Sequence, residues 1–228
     1  MWHTVVFDSG PRVRLPLTLC TPVLLCMQLT AAIPWRVCVQ MPIHLQQLVN
    51  LKYLNLSYNQ FDITGMDFSG TTQLRVLHLA AMGAPDATEL HESICLLTEL
   101  EVLRLNGTRL PFLPVNLGNL VKLNVLQVEL CRLEQLPESL TRLTNLTELQ
   151  ASDCEFSTLP ARIGDMRALE VATFLTNGDT MAIPPSFLSL TRLRKLHMPE
   201  DYCLVKPPGF NVYVDALQAS GCEYRQES

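Results

Sequence analysis

Leucines return through this chain at a nearly fixed interval, and that recurrence limits its possible folds more than any other feature. The first apolar residue of each unit falls at Leu51, Leu74, Leu100, Leu123, Leu146, Leu169 and Leu193, at intervals of 23, 26, 23, 23, 23 and 24 residues. The unit is clearest from Leu100 to Leu123, LEVLRLNGTRLPFLPVNLGNLVKL, with apolar residues at Leu100, Leu103, Leu105, Leu110, Leu113, Leu117 and Leu120. Its first half alternates at period two through Leu103-Arg104-Leu105, as a half-buried strand does. Its second half, from Asn116, spaces its leucines by three, which suits a short helical or extended return. Neither half can bury its leucines alone, so the unit makes sense only when stacked on others like it.

Stacking predicts one parallel strand per unit, with inward pairs Leu54/Leu56, Leu77/Leu79, Leu103/Leu105, Leu126/Val128, Leu149/Ala151, Ala172/Phe174 and Leu196/Met198. Adjacent strands would lie about 4.8 Å apart. Leu113-Pro114 has counterparts at Leu136-Pro137, Leu159-Pro160 and Ile183-Pro184. Proline there starts the return segment where a missing N–H does little harm. The second unit has Leu90-His91 instead, after a three-residue insertion near Gly83-Ala84-Pro85, and the first has no recognisable step around Ile63-Thr64-Gly65.

The pattern LxxLxLxx(N/C)xLxxLPxxLxxL resembles the leucine-rich repeat family, in the style of its intracellular Ras-group and plant disease-resistance members, from Met41 to about Pro208. The resemblance implies an α/β fold: a curved horseshoe solenoid with parallel β-strands on the concave face and short helices or extended segments on the convex face. It also implies a protein-binding concave surface. One side chain after each strand (Asn59, Met82, Thr108, Cys131, Cys154, Asn177 and Asp201) would hydrogen-bond the turn and form a ladder along the stack. Asn, Thr and Asp can bond strongly there, Cys weakly, and Met82 cannot donate, which makes the second repeat the loosest. The ending KPPGFNVYVDALQASG is similar to C-terminal caps of that group, with Val212 to Ala219 as a short closing helix. The expected organisation is residues 1–40 as leader, cap or degenerate repeat, 41–208 as a solenoid of about seven repeats, and 209–228 as cap and tail.

The first 40 residues leave several readings open. Arg12 and Arg14 precede an apolar run that a signal peptidase could end after Ala32, yet Asp8, Pro16 and Pro22 weaken both a signal peptide and a membrane anchor. Met41-Pro42 with Leu45 and Leu48 instead fits the second half of an upstream repeat. Membrane contact is expected only if residues 15–35 are an anchor.

Charge and cysteine usage narrow the function. A net charge of −5 argues against nucleic-acid binding. The eight cysteines include no CxxC pair and none beside a histidine at ligand spacing, which argues against a metal site. They read as buried thiols of a reducing compartment, so the expected location is cytoplasmic, with a secreted or membrane-anchored location as the alternative. Three glycosylation sequons, at Asn55, Asn106 and Asn145, discriminate little.

No GxxxxGK[ST], GxSxG, HExxH or kinase signature is present, and the five histidines are isolated in sequence. The expectation is therefore no catalytic residue, no cofactor and no small-molecule substrate. Cys131 sits at a turn-ladder position, which gives it a structural role rather than a nucleophile's.

Alternation places three rows of side chains on the open face. Tyr53, Val76, Val102, Val125, Glu148, Val171 and Lys195 form the first row, an expected exposed apolar stripe. Asn55, His78, Arg104, Gln127, Gln150, Thr173 and His197 form the second, and Ser57, Ala80, Asn106, Glu129, Ser152, Leu175 and Pro199 the third. Valine also simply suits a strand. A parallel sheet is normally covered on both faces, though, and this one would be left open. The expected binding residues are Tyr53, His78, Val102, Arg104, Val125, Gln127, Glu129, Glu148, Gln150, Val171, Thr173, Lys195 and His197. The expected role is a protein-interaction scaffold or signalling regulator; the alternative is an extracellular recognition domain with a cleaved signal peptide. An enzyme using the concave cleft has no supporting motif.

Overall fold

The computed structural model describes residues 2–5, 13–16, 48–58, 63–80, 89–175, 177 and 180–226. The leader, signal-cleavage and anchor readings fall almost wholly outside these residues. So do the upstream half-repeat at Met41-Pro42, ladder positions Asn59 and Met82, and the insertion near Gly83. Near the N-terminus, β1 (Trp2–Val5) and β2 (Val13–Pro16) pair antiparallel, Trp2 opposite Pro16 and Val5 opposite Val13.

Each of the seven repeats contributes one short strand: β3 (Tyr53–Asn55), β4 (Val76–His78), β5 (Val102–Arg104), β6 (Val125–Gln127), β7 (Glu148–Gln150), β8 (Val171–Thr173) and, after β9 (Met181–Ala182), β10 (Lys195–Met198). The seven repeat strands pair in parallel, in register and in sequence order. Register follows from the alternation, because a one-residue slip would turn every leucine outward. Leu77, Leu103, Leu126, Leu149, Ala172 and Leu196 accordingly stack in line and are fully buried. A second, smaller sheet pairs β9 with β11 (Leu204–Val205), and Thr158 bridges to Ala182 beside it.

The return segments close as 3₁₀ turns rather than α-helices: Glu92–Leu96, Leu117–Asn119, Glu138–Arg142, Ile163–Asp165 and Pro185–Ser189. Four follow the Leu/Ile-Pro steps, and the first follows Leu90-His91, where His91 Nδ1 accepts from the Ser93 amide at 3.2 Å. Gly118 and Gly164 allow the turns to nest. A Cβ at either would overlap the carbonyl oxygen of Ser139 or Ser186 in the next repeat.

The turn ladder is present through its middle. Thr108 Oγ1 donates to Leu105 O at 2.7 Å, Cys131 Sγ to the same carbonyl at 3.3 Å, and Cys154 Sγ to Val128 O at 3.2 Å. Asn177 makes three bonds: its Nδ2 donates to Ala151 O and Phe174 O, and its Oδ1 accepts from the Cys154 amide. The ladder ends there. Asp201 stands on the surface in the 3₁₀ turn Asp201–Cys203, paired with Lys206 at 2.7 Å. The ladder bonds run within a turn or back to the preceding repeat, whereas the Asp201 carboxylate is taken up by Lys206 and the Gln226 side-chain amide instead.

The C-terminal cap is α1 (Phe210–Ala219), two residues longer at its start than the expected helix, burying Phe210, Val214 and Leu217. After it comes a strand the sequence did not announce, β12 (Glu223–Gln226), which pairs parallel with β10 and makes the concave sheet eight-stranded. Its sequence, EYRQ, offers only Tyr224 for burial, too short an alternation to read as a strand. Among the described residues, no helix is long and apolar enough to cross a membrane.

Candidate functional site

The open face of the eight-stranded sheet carries the three rows in the expected order, with Tyr53↔Val76↔Val102↔Val125↔Glu148↔Val171↔Lys195 and Asn55↔His78↔Arg104↔Gln127↔Gln150↔Thr173↔His197 in lateral register. The strand β12 extends both rows with Glu223 and Arg225, which were not anticipated.

The valine row is half-buried rather than exposed. Arg104, in contrast, is exposed and has no acidic partner among the described residues. At the N-terminal end, the Tyr53 and His78 rings meet edge to face with centroids 5.5 Å apart. Burial, with Arg104 adding to it, holds the His78 imidazole below its ordinary pKa.

Acids gather at the centre. Glu148 Oε1 accepts from both Gln127 Nε2 at 2.8 Å and Gln150 Nε2 at 2.7 Å. Those two glutamines are therefore occupied in orienting a carboxylate. Burial pushes the Glu129 carboxyl above its usual range, the Asp153 and Glu148 charges push further, and Lys195 opposes them. Asn106 is tied to Glu129 at both ends: its Oδ1 accepts from the Glu129 amide at 3.1 Å and its Nδ2 donates to Oε2 at 3.4 Å. Ser57 and Ser152 likewise accept from the amides of Ala80 and Leu175 one repeat on. The third row thus forms a second ladder between repeats that the sequence pattern did not reveal.

At the C-terminal end the face closes. Thr173 is only 5% exposed, and its hydroxyl has no hydrogen-bond partner among the described residues. The His197 side chain is 11% exposed, with Glu223 Oε1 standing 3.5 Å from its Nε2. Burial and Lys195 lower the His197 pKa against the pull of Glu223. Alternation placed both residues on the correct face, but β12, with its Glu223–Arg225 ion pair at 2.8 Å, lies beside His197, and His197 lies beside Thr173. Among the described residues, no group of histidine, cysteine or acidic side chains could hold a metal ion.

An uninterrupted stack of in-register parallel strands with one face open is the architecture of a repeat solenoid. A leucine-rich repeat region model matches residues 58–203. The chain belongs to the leucine-rich repeat family, whose members are typically non-enzymatic binding scaffolds. No curated protein sequence matches it. Among solved structures it is similar to internalin C2 of Listeria monocytogenes, at 20% identity and a TM-score of 0.66, over 84% of this chain and 77% of that one. The functional domain of InlJ from the same organism, which includes a cysteine ladder, matches at 20% identity and 0.64, over 84% of this chain and 38% of that one. The ectodomain of the Arabidopsis thaliana receptor kinase GASSHO1/SCHENGEN3 matches at 23% and 0.58, over 78% and 22%. Identities this low carry the fold alone.

Proposed function

We propose that the chain is a non-catalytic interaction scaffold or signalling regulator that binds a basic segment of a protein partner on its concave face. The observation that carries this is the central crowding of carboxylates. Burial and the neighbouring Asp153 and Glu148 charges raise the proton affinity of half-buried Glu129, and a partner's lysine or arginine would relieve that repulsion. Beside the acids, the half-buried valines and the unpaired Arg104 offer the apolar and planar groups that dominate interfaces. Solved relatives support a protein partner in general terms: the GASSHO1 ectodomain was determined with CASPARIAN STRIP INTEGRITY FACTOR 2, and Toll with Spatzle. The binding set is the expected one without Thr173, which is enclosed.

The solenoid is assigned to residues 41–208 and its cap and tail to 209–228. A reducing compartment, cytoplasmic rather than secreted, suits the free thiols of Cys95, Cys131, Cys154, Cys203 and Cys222. The side-chain nitrogens of two sequon asparagines are engaged, Asn106 with Glu129 and Asn145 with Val121 O, which weighs against glycosylation there.

The test is affinity capture from native lysate. Arg104→Ala with Val125→Ala should abolish capture, while the chemically matched pair Arg192→Ala with Val121→Ala, off the strands, should leave it intact. Capture should weaken with added salt and as pH falls through the raised Glu129 pKa, because protonation removes the charge the partner meets. Loss of capture in the control pair alone would place the binding face elsewhere.

A further inference from the structure

Away from the concave face, Arg142, Arg162 and Arg167 converge on a shallow cleft of about 470 Å³, whose lining is completed by Thr141, Thr144 and Asp165. The cleft lies against the consecutive 3₁₀ turns Glu138–Arg142 and Ile163–Asp165. The fold does not require these arginines. One 23-residue period away, Arg142 is replaced by Asn119 and by Asp165, Arg162 by Ser139, and Arg167 by Thr144. Their meeting belongs to this pair of repeats.

Asp165 neutralises one of the three, its Oδ2 lying 2.6 Å from Arg162 Nη2. Among the described residues, Arg142 and Arg167 have no carboxylate within ion-pairing reach. The cleft therefore keeps two positive charges on a chain whose net charge is −5. Thr141 is buried and donates its hydroxyl proton to Glu138 O at 2.8 Å. Thr144 is exposed, which leaves its side chain at the rim.

We propose that this cleft is a binding site for a phosphate-type oxyanion. A guanidinium is a planar fork of donors matched to the oxygens of carboxylate or phosphate. A single carboxylate satisfies one fork and carries one charge. Two free forks and a third half-neutralised one call for a dianion with three terminal oxygens, which a phosphate or phosphomonoester supplies. The same chemistry arises from the free anion and from a phosphorylated side chain, and the experiment separates the two. The proposal is independent of the concave-face reading, since it uses none of those residues.

The experiment is an NMR titration of the whole chain with inorganic phosphate at constant ionic strength, following arginine Nε–H resonances, with chloride as the comparison. Phosphate should shift the Arg142, Arg162 and Arg167 signals saturably, and chloride should not. Arg142→Gln with Arg167→Gln should weaken phosphate binding by roughly tenfold or more, and Arg142→Lys with Arg167→Lys by less, because charge survives there without the fork. An unchanged backbone amide spectrum confirms that each variant is folded. A Gly-phosphoserine-Gly peptide is the second probe: tighter binding than inorganic phosphate assigns the anion to a phosphorylated chain, equal or weaker binding to the free ion, and either upholds the site. Equal shifts with chloride, or full affinity in the glutamine variant, overturn it.

Discussion

Leu126 and Leu130 stand four positions apart on one strand and its turn and meet opposite demands. Leu126 is fully buried, with Leu103 and Leu149 beside it in register. Truncating it to alanine should cost about 2–5 kcal/mol through lost transfer energy and a cavity. Leu130 is 63% exposed and sits at φ 55°, a left-handed conformation that costs a leucine about 1–2 kcal/mol. Leu130→Gly should therefore leave stability unchanged or raise it, whereas Leu126→Ala should lower the urea midpoint sharply. Matching midpoints would mean the strand phase is misassigned. Period-two alternation was enough to tell these residues apart as core and turn. It could not show the backbone strain, because of the four equivalent turn residues Tyr58, Gly107, Leu130 and Asp153, all at positive φ, only glycine advertises that conformation. Nor could it show that Thr173 is enclosed, since that depends on neighbours across strands rather than along one.

At the scale of elements, three-residue spacing foretold a short helical or extended return but not which. The close approach of neighbouring turns supplies the reason. A slim 3₁₀ turn with glycine at Gly118 or Gly164 lets the next repeat's turn, Glu138–Arg142 or Pro185–Ser189, lie against it, and no side chain fits between. Gly118→Ala and Gly164→Ala should each destabilise by about 1–3 kcal/mol or more, as overpacking against backbone does. Gly65→Ala is the control, because a Cβ there meets nothing within 4 Å. Thermal unfolding checks this. If Gly118→Ala melted with Gly65→Ala, the turns would not be nested as described. The cap was legible in part: apolar spacing marked α1, but the polar tail of β12 gave too little alternation to place it on the sheet.

Across the whole molecule, each repeat touches chiefly its neighbours, so stability propagates along one dimension. One column of rings joins the last repeats to the cap. Phe156 meets Phe174 at 6.5 Å, Phe174 meets Phe187 at 6.5 Å, and Phe187 meets Phe210 at 6.3 Å and Tyr213 at 6.0 Å. Tyr213 fastens the far end by donating its hydroxyl to Leu190 O at 2.8 Å, and burial pushes its phenol pKa well above the ordinary value. Phe187 is thus the junction between solenoid and cap, and Phe187→Ala should cost about 3–5 kcal/mol. In a one-dimensional stack that loss should be local. Amides of α1 and β12 should exchange with solvent roughly tenfold faster or more, since each 1.4 kcal/mol is a factor of ten. Amides of β6 and β5, two and three repeats away, should keep their protection. Native-state hydrogen exchange on the variant decides the matter, and uniform loss of protection from β5 to β12 would show a single cooperative unit instead of a stack that can open from its C-terminal end.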